Sequence, residues 1–197
     1  MRQSLRKHIR AGVLLCVIAP LMAACTAAPQ DQYYLLSSTQ APASSATGQG
    51  MVVGIGPVSI PSHLDRSMIV TRSSSNRLNV LSGHRWAEPL DENINRILVE
   101  NFDHTGKASR LETYPWTSRA GVDVQVIVDI DRFERQPDGN VLLSARWKLV
   151  AFESGVVKAS NSYEKTRAPN GSDVESTVSA MSDLLADLSG EIANYVP

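Results

Sequence analysis

Residues 121–166 constrain the fold more than any other stretch. Val122, Val124, Val126, Val128 and Ile130 alternate with Asp123, Gln125, Asp129 and Asp131, a period of two that predicts a strand over 121–132 with one buried and one wet face. Pro137-Asp138-Gly139-Asn140 is hairpin-turn chemistry. The chain then returns over 141–152 with Val141, Leu143, Ala145, Trp147 and Leu149 on one side and Ser144, Arg146 and Lys148 on the other. Glu153-Ser154-Gly155 turns it once more into a strand over 156–166. Three antiparallel strands in succession make a meander, and its apolar face has to be covered by something.

Two segments have the helical period needed to cover it. Over 85–102, Leu90, Ile94, Ile97, Leu98 and Phe102 fall on one face. Pro89 is tolerated in a first turn, Asp91 and Glu92 suit the positive end of the helix, and Gly106 ends it. Near the C-terminus Ser172 and Glu175 have the spacing of a capping box. Val174, Val178, Met181, Leu185, Leu188, Ile192 and Tyr195 follow at steps of four and three.

Upstream, residues 51–60, 68–72 and 77–81 read as strands, the last two as a hairpin around Ser73-Ser74-Ser75-Asn76. Pro57 cannot donate to a ladder, so a bulge, edge or strand end is expected there. Gly54-Ile55-Gly56 lacks the helix that a phosphate-binding glycine loop requires. Tyr33-Tyr34-Leu35-Leu36 is a short strand candidate inside a polar tract, and residues 37–50 read as a loop. The expected class is α+β: a single domain with a mainly antiparallel or mixed sheet and two amphipathic helices packed on it.

The first 25 residues belong to a different category. Arg2, Arg6, Lys7 and Arg10 precede an apolar run of about a dozen residues, short of the roughly 20 a spanning helix needs. Leu21-Met22-Ala23-Ala24-Cys25 resembles the bacterial lipobox, which predicts a signal peptide over 1–24, N-acyl and S-diacylglycerol lipid on Cys25, and a lipidated tether over 25–32 ahead of a domain at 33–197. Thr26 and Ala27 are not the Asp of an inner-membrane retention signal, so the expected location is the outer membrane, on its periplasmic face. With Cys16 removed and Cys25 capped, no thiol is left for a disulfide or a zinc site. Residues 1–24 carry four of the 19 basic side chains and none of the 20 acidic ones, leaving 15 against 20 and a net charge of −5. That balance argues against a nucleic-acid partner.

Candidate chemistry is sparse. His63, His84 and His104 lack metal-ligand spacing. Asp123, Asp129 and Asp131 are explained as the wet side of a strand, and Ser62, His63 and Asp65 are too close in sequence to aim at one another as a triad. Trp86, Trp116 and Trp147 are candidate partner anchors, although Trp147 sits on an apolar strand face. No enzyme and no cofactor are expected.

The lipobox, Tyr33-Tyr34-Leu35, the run from Val53 to Pro61, Leu64-Asp65-Arg66, Ile69-Val70-Thr71-Arg72 and Arg85-Trp86-Ala87-Glu88-Pro89-Leu90 together resemble the ABC-type transport auxiliary lipoproteins. The resemblance implies a non-catalytic subunit of an intermembrane lipid transport system that docks the outer-membrane end of a tube of MCE-domain protein, with inner-membrane transport components beyond it. Such tubes are rotationally symmetric, which is compatible with a homo-oligomeric ring. His63, Asp65, Arg66, Arg85, Trp86 and Glu88 cluster just outside the expected elements as a partner or self-association surface, the equal alternative being that Trp86 staples the helix start and Arg85 or Asp65 caps and pairs within the chain. An assembly lipoprotein of the pilotin type, and more remotely a periplasmic hydrolase, are the alternatives left open by the residues.

Overall fold

The computed structural model describes residues 30–39, 50–116 and 121–197, so the expected signal peptide, Cys25, most of the tether and most of the 37–50 loop lie outside it. One compact unit spans Asp31–Pro197, two residues ahead of the expected domain start. Its strands are β1 Gln32–Tyr34, β2 Met51–Ser59, β3 Met68–Ser74, β4 Arg77–Trp86, β5 Ala108–Thr113, β6 Val124–Arg135, β7 Val141–Ala151 and β8 Val157–Arg167, with helices α1 Leu90–Asp103 and α2 Val174–Ala193. They form one mixed eight-stranded sheet with two helices, the expected class.

β6 is the spine of that sheet. Along one edge it pairs antiparallel with β7, which pairs antiparallel with β8, so the meander forms as its alternation predicts. Along the other edge β6 is shared. β2 runs parallel to its first half, with Val53 opposite Val124 and Ser59 opposite Asp129, and β3 meets its far end, Thr71 opposite Arg135. β5 adds parallel to β2, while β4 and then β1 extend the sheet beyond β3.

The buried faces match the alternation. Val124, Val126, Val128 and Ile130 of β6 and Val141, Leu143, Ala145, Trp147 and Leu149 of β7 are all in the core. Between Ile130 and Arg132 the register shifts. Simple alternation would carry Arg132 inward, whereas the bulge turns Phe133 into the core instead. In β2 the register also shifts, between Ile55 and Val58, which places Pro57 in a bulge of a central strand. There its missing amide breaks no regular ladder bond. Gly54 and Gly56 serve packing: a Cβ at Gly54 would stand 3.0 Å from the Trp116 ring, and Gly56 has φ +111° with Tyr114 across it.

Both helices lay their apolar stripes on the sheet. Leu90, Ile94, Ile97, Leu98 and Phe102 of α1 are buried, as are Val178, Met181, Leu185, Leu188 and Ile192 of α2. Three local expectations are corrected, and one strand, β5, is added. Arg85 and Trp86 end β4 instead of opening α1, because β1 pairs with them, and Pro89 is the N-cap residue. Asp173, not Ser172, caps α2, accepting the Ser176 amide at 2.7 Å. Tyr195 lies past the end of α2, half exposed, its ring 5.0 Å from that of Trp147. β5 carried no alternation signal, since Leu111 is its one large apolar residue and its place at the sheet edge asks for little more.

Candidate functional site

The loop from β2 to β3 and the corner from β4 to α1 face each other across a groove of about 310 Å³. Leu64, fully buried, plugs the loop into the core, and its amide closes a turn on the Pro61 carbonyl at 2.8 Å. That leaves Asp65 and Arg66 on the surface at one wall. Trp86, Glu88 and Pro89 form the other wall. The Trp86 amide donates to the Ser67 carbonyl at 2.8 Å, so the two walls are tied together.

Of the six expected surface residues, four line this groove: Asp65, Arg66, Trp86 and Glu88. Their accessibility differs. Trp86 is 6% exposed and belongs to the core. Glu88 is committed within the chain, accepting from Asn93 Nδ2 and from Arg96 Nη2 at 2.9 Å. The Asn93 hydrogen bond foremost, and then Arg96, hold its carboxyl below the usual range against the opposing effect of burial. Arg85 points away, with Nε on Asp31 and Nη1 on Ser67 Oγ at 3.1 Å. His63 is half-buried and outside the groove lining. Asp65 and Arg66 therefore carry the accessible charge.

What the sequence reading missed is how the N-terminal segment is fastened. After β1 the chain passes between the two helices, where Leu36 is buried in the core. Its amide donates to Asn93 Oδ1 at 2.8 Å, the Ser37 amide to Ser182 Oγ at 3.1 Å, and Ser38 Oγ to Asn101 Oδ1 at 2.7 Å. Asn93 and Asn101 are both 0% exposed. Burying such a group costs least when it is hydrogen-bonded: the Asn93 amide is paired on both sides, with the Leu36 amide and Glu88, whereas Asn101 uses its Oδ1 and leaves Nδ2 without a partner. The available signal was their place on the helical stripe of α1, at 93 and 101 beside Leu90, Ile94 and Ile97. Leu36→Ala should cost about 2–5 kcal/mol, seen as a lowered melting temperature and as faster amide exchange at residues 34–38.

A second carboxylate, Glu134, is fully buried and accepts from Arg72 Nε at 2.9 Å, Arg132 Nε at 3.2 Å and the Phe133 amide at 2.9 Å. Burial pushes its carboxyl up, but hydrogen bonds from Arg72, Gln136, Arg132 and Phe133 outweigh that and leave it below the ordinary value. A carboxyl lowered in the folded state contributes stability that is complete above the unfolded value, about 4.3 for Glu, and is lost as pH falls through the folded value. Both Glu88 and Glu134 are of this kind. The urea midpoint should accordingly be flat from pH 7 to about 5 and fall below it, and Glu134→Gln should flatten that acid limb.

Among the described residues no group of three or more His, Cys, Asp or Glu could hold a metal ion, and no side-chain hydrogen bond joins Ser62, His63 and Asp65. Asp123 accepts the Val52 amide at 2.8 Å and Asp131 pairs with Arg146 at 2.8 Å, on the wet side of β6. Trp147 is core, while Trp116 is half-buried against Tyr114 and Phe152. No described helix is long and apolar enough to cross a membrane.

An eight-stranded mixed sheet under two helices, with the segment after its edge strand β1 fastened between them, defines the fold. The chain belongs to the ABC-type transport auxiliary lipoprotein component family, whose profile matches residues 33–193. That family is one of transport auxiliaries and not of enzymes. Among its relatives, the intermembrane transport lipoprotein PqiC of Escherichia coli is 24% identical over 162 residues, covering 81% of this chain and 84% of PqiC. PqiC of Shigella flexneri matches to the same extent. Protein XCC0632 from Xanthomonas campestris shares the fold, with a TM-score of 0.69 at 19% identity over 83% of this chain and 94% of its own.

Proposed function

We propose that this protein is the outer-membrane-anchored, periplasmic subunit of an intermembrane lipid transport system, acylated on Cys25 and docking the outer-membrane end of a tube of MCE-domain protein. The observation that carries the reading is family membership over nearly the whole folded unit, together with the similarity to a lipoprotein named for intermembrane transport. The fixing of β1 on β4, and of the segment after it between the helices, supports it physically. Only residues 26–31 separate Cys25 from β1, a reach of about 20 Å at full extension, so an acylated Cys25 would hold the domain within one domain diameter of the bilayer. Rotational symmetry of the tube favours a homo-oligomeric ring of these subunits, and inner-membrane components would complete the system.

Asp65 and Arg66, beside the groove at Trp86, are the side chains best exposed to meet the tube or a neighbouring subunit. Cross-linking in native membranes, followed by identification of what co-purifies, tests the whole reading. Recovery of an MCE-domain protein is expected. Recovery of a secretin in its place would move the chain to the pilotin class. The charge reversals Asp65→Lys and Arg66→Glu, which remove no described hydrogen bond or ion pair of their side chains, should reduce that recovery several-fold while leaving the melting temperature unchanged.

A further inference from the structure

Where β3 meets the far end of β6, two guanidinium groups converge on one carboxylate and a third lies close by in sequence. Glu134 lies beneath, 0% exposed, with Arg72 and Arg132 both on its Oε1. Arg135, one position on, reaches the other way. Its Nε donates to the Gly139 carbonyl at 3.0 Å, and its Nη1 to the Ser172 carbonyl at 2.8 Å and to Thr177 Oγ1 at 3.4 Å. Glu134 thus serves two arginines, while the third is held on neutral oxygens.

These side chains border two hollows. One, of about 540 Å³, is lined by Arg72, Arg135, Thr71, Ser73 and Thr177, with Leu81 and Val174 on its wall. The other, of about 410 Å³, is lined by Arg72, Ser75, Arg132 and Gln136. Arg72 and Gln136 border both, and no carboxylate lines either. Of the acids at the start of α2, the N-cap Asp173 spends its oxygens on the amide and hydroxyl of Ser176, and Glu175 in the first turn lies outside the lining of both hollows. A positive concavity is conspicuous in a chain whose acidic residues outnumber its basic ones after residue 24. Clefts of one sign concentrate ligands of the other.

The fork of donors on a guanidinium matches the oxygens of a phosphate better than a point charge does. The Thr71 hydroxyl adds a donor, while the Ser73 and Thr177 hydroxyls donate within the chain, to the Arg77 and Asp173 carbonyls, each at 3.1 Å; Leu81 and Val174 leave an apolar flank for an organic substituent. We propose that these hollows bind a phosphate group, with Arg72 and Arg135 as its principal ligands and Arg132 closing the second side. The group has two sources, free phosphate or the diester headgroup of a glycerophospholipid, and the apolar flank favours the diester. The site stands on these side chains alone and does not depend on the transport reading.

The full-length protein in a non-ionic detergent, titrated into inorganic phosphate and separately into sn-glycero-3-phosphoglycerol at constant ionic strength, tests this by phosphorus-31 line width. Saturable broadening is expected, stronger for the diester. Arg135→Gln, which leaves Glu134 and its partners untouched, should weaken it at least tenfold. Arg146→Gln, on the open sheet face, should leave it unchanged. Stronger binding of inorganic phosphate would keep the site and name the free ion as its ligand. Absence of saturable broadening with both probes, or equal binding by the Arg135→Gln protein, would overturn the proposal. The readout needs no partner protein, so its failure leaves the transport assignment standing.

Discussion

Cys25→Ser should move the protein from the membrane fraction to the soluble periplasm without altering its folding. The acyl chains are the expected source of attachment, each buried methylene contributing about 0.8 kcal/mol, and two or more chains give stable anchoring where one gives only reversible binding. A serine hydroxyl at the same place cannot carry the thioether-linked lipid. The compact unit Asp31–Pro197 holds no cysteine, so its melting temperature should be the same in both forms. Fractionation of cells, with a high-salt wash to remove loosely bound protein, makes the measurement. If the serine variant stayed in the washed membranes and still co-purified its partners, acylation at Cys25 would not be what holds the domain there.

Trp86→Ala should be the most damaging of the surface-motif substitutions, for a structural reason. At 6% exposure Trp86 is packed in the core where β4, α1 and the β2–β3 loop meet. Truncating a buried tryptophan costs about 3–5 kcal/mol, enough to lower the melting point of a domain this size by on the order of 10 °C. Trp86→Phe should recover most of it. Loss of partner binding in Trp86→Ala would then reflect a disturbed fold. Thermal melts of both variants alongside co-purification separate the two effects: normal melting with lost binding would identify Trp86 as a contact residue in its own right.

These contrasting roles show how far the residues alone could be read. The meander was legible because strict alternation over β6 and β7 leaves one way to bury the valines, leucines and Trp147. Both helical stripes were legible for the same reason at a period of 3.6. β5 was not, because an edge strand parallel to β2 needs no apolar face of its own. The bulge after Ile130, which turns Phe133 inward and leaves Glu134 buried, arises from pairing with β7, and nothing within 130–135 announces it. The expected surface divided similarly. Asp65 and Arg66 are exposed, whereas Trp86 is core and Arg85 and Glu88 pair within the chain, with Asp31 and Arg96.

By itself the sequence determined the elements whose side-chain period is self-contained: the β6–β8 meander, the apolar faces of α1 and α2, and the pattern ending at Cys25 that predicts an anchor. Tertiary structure alone decided what depends on elements distant in the chain. It latched Leu36 to Asn93 and Ser37 to Ser182, spread β2 and β3 along one edge of β6, and brought Arg72 and Arg132 onto Glu134. The physical reason is one of range. Periodicity is written into neighbouring residues, whereas a buried hydrogen bond or a shared counter-charge exists only once partners 50 or 150 positions apart have been brought together by the core.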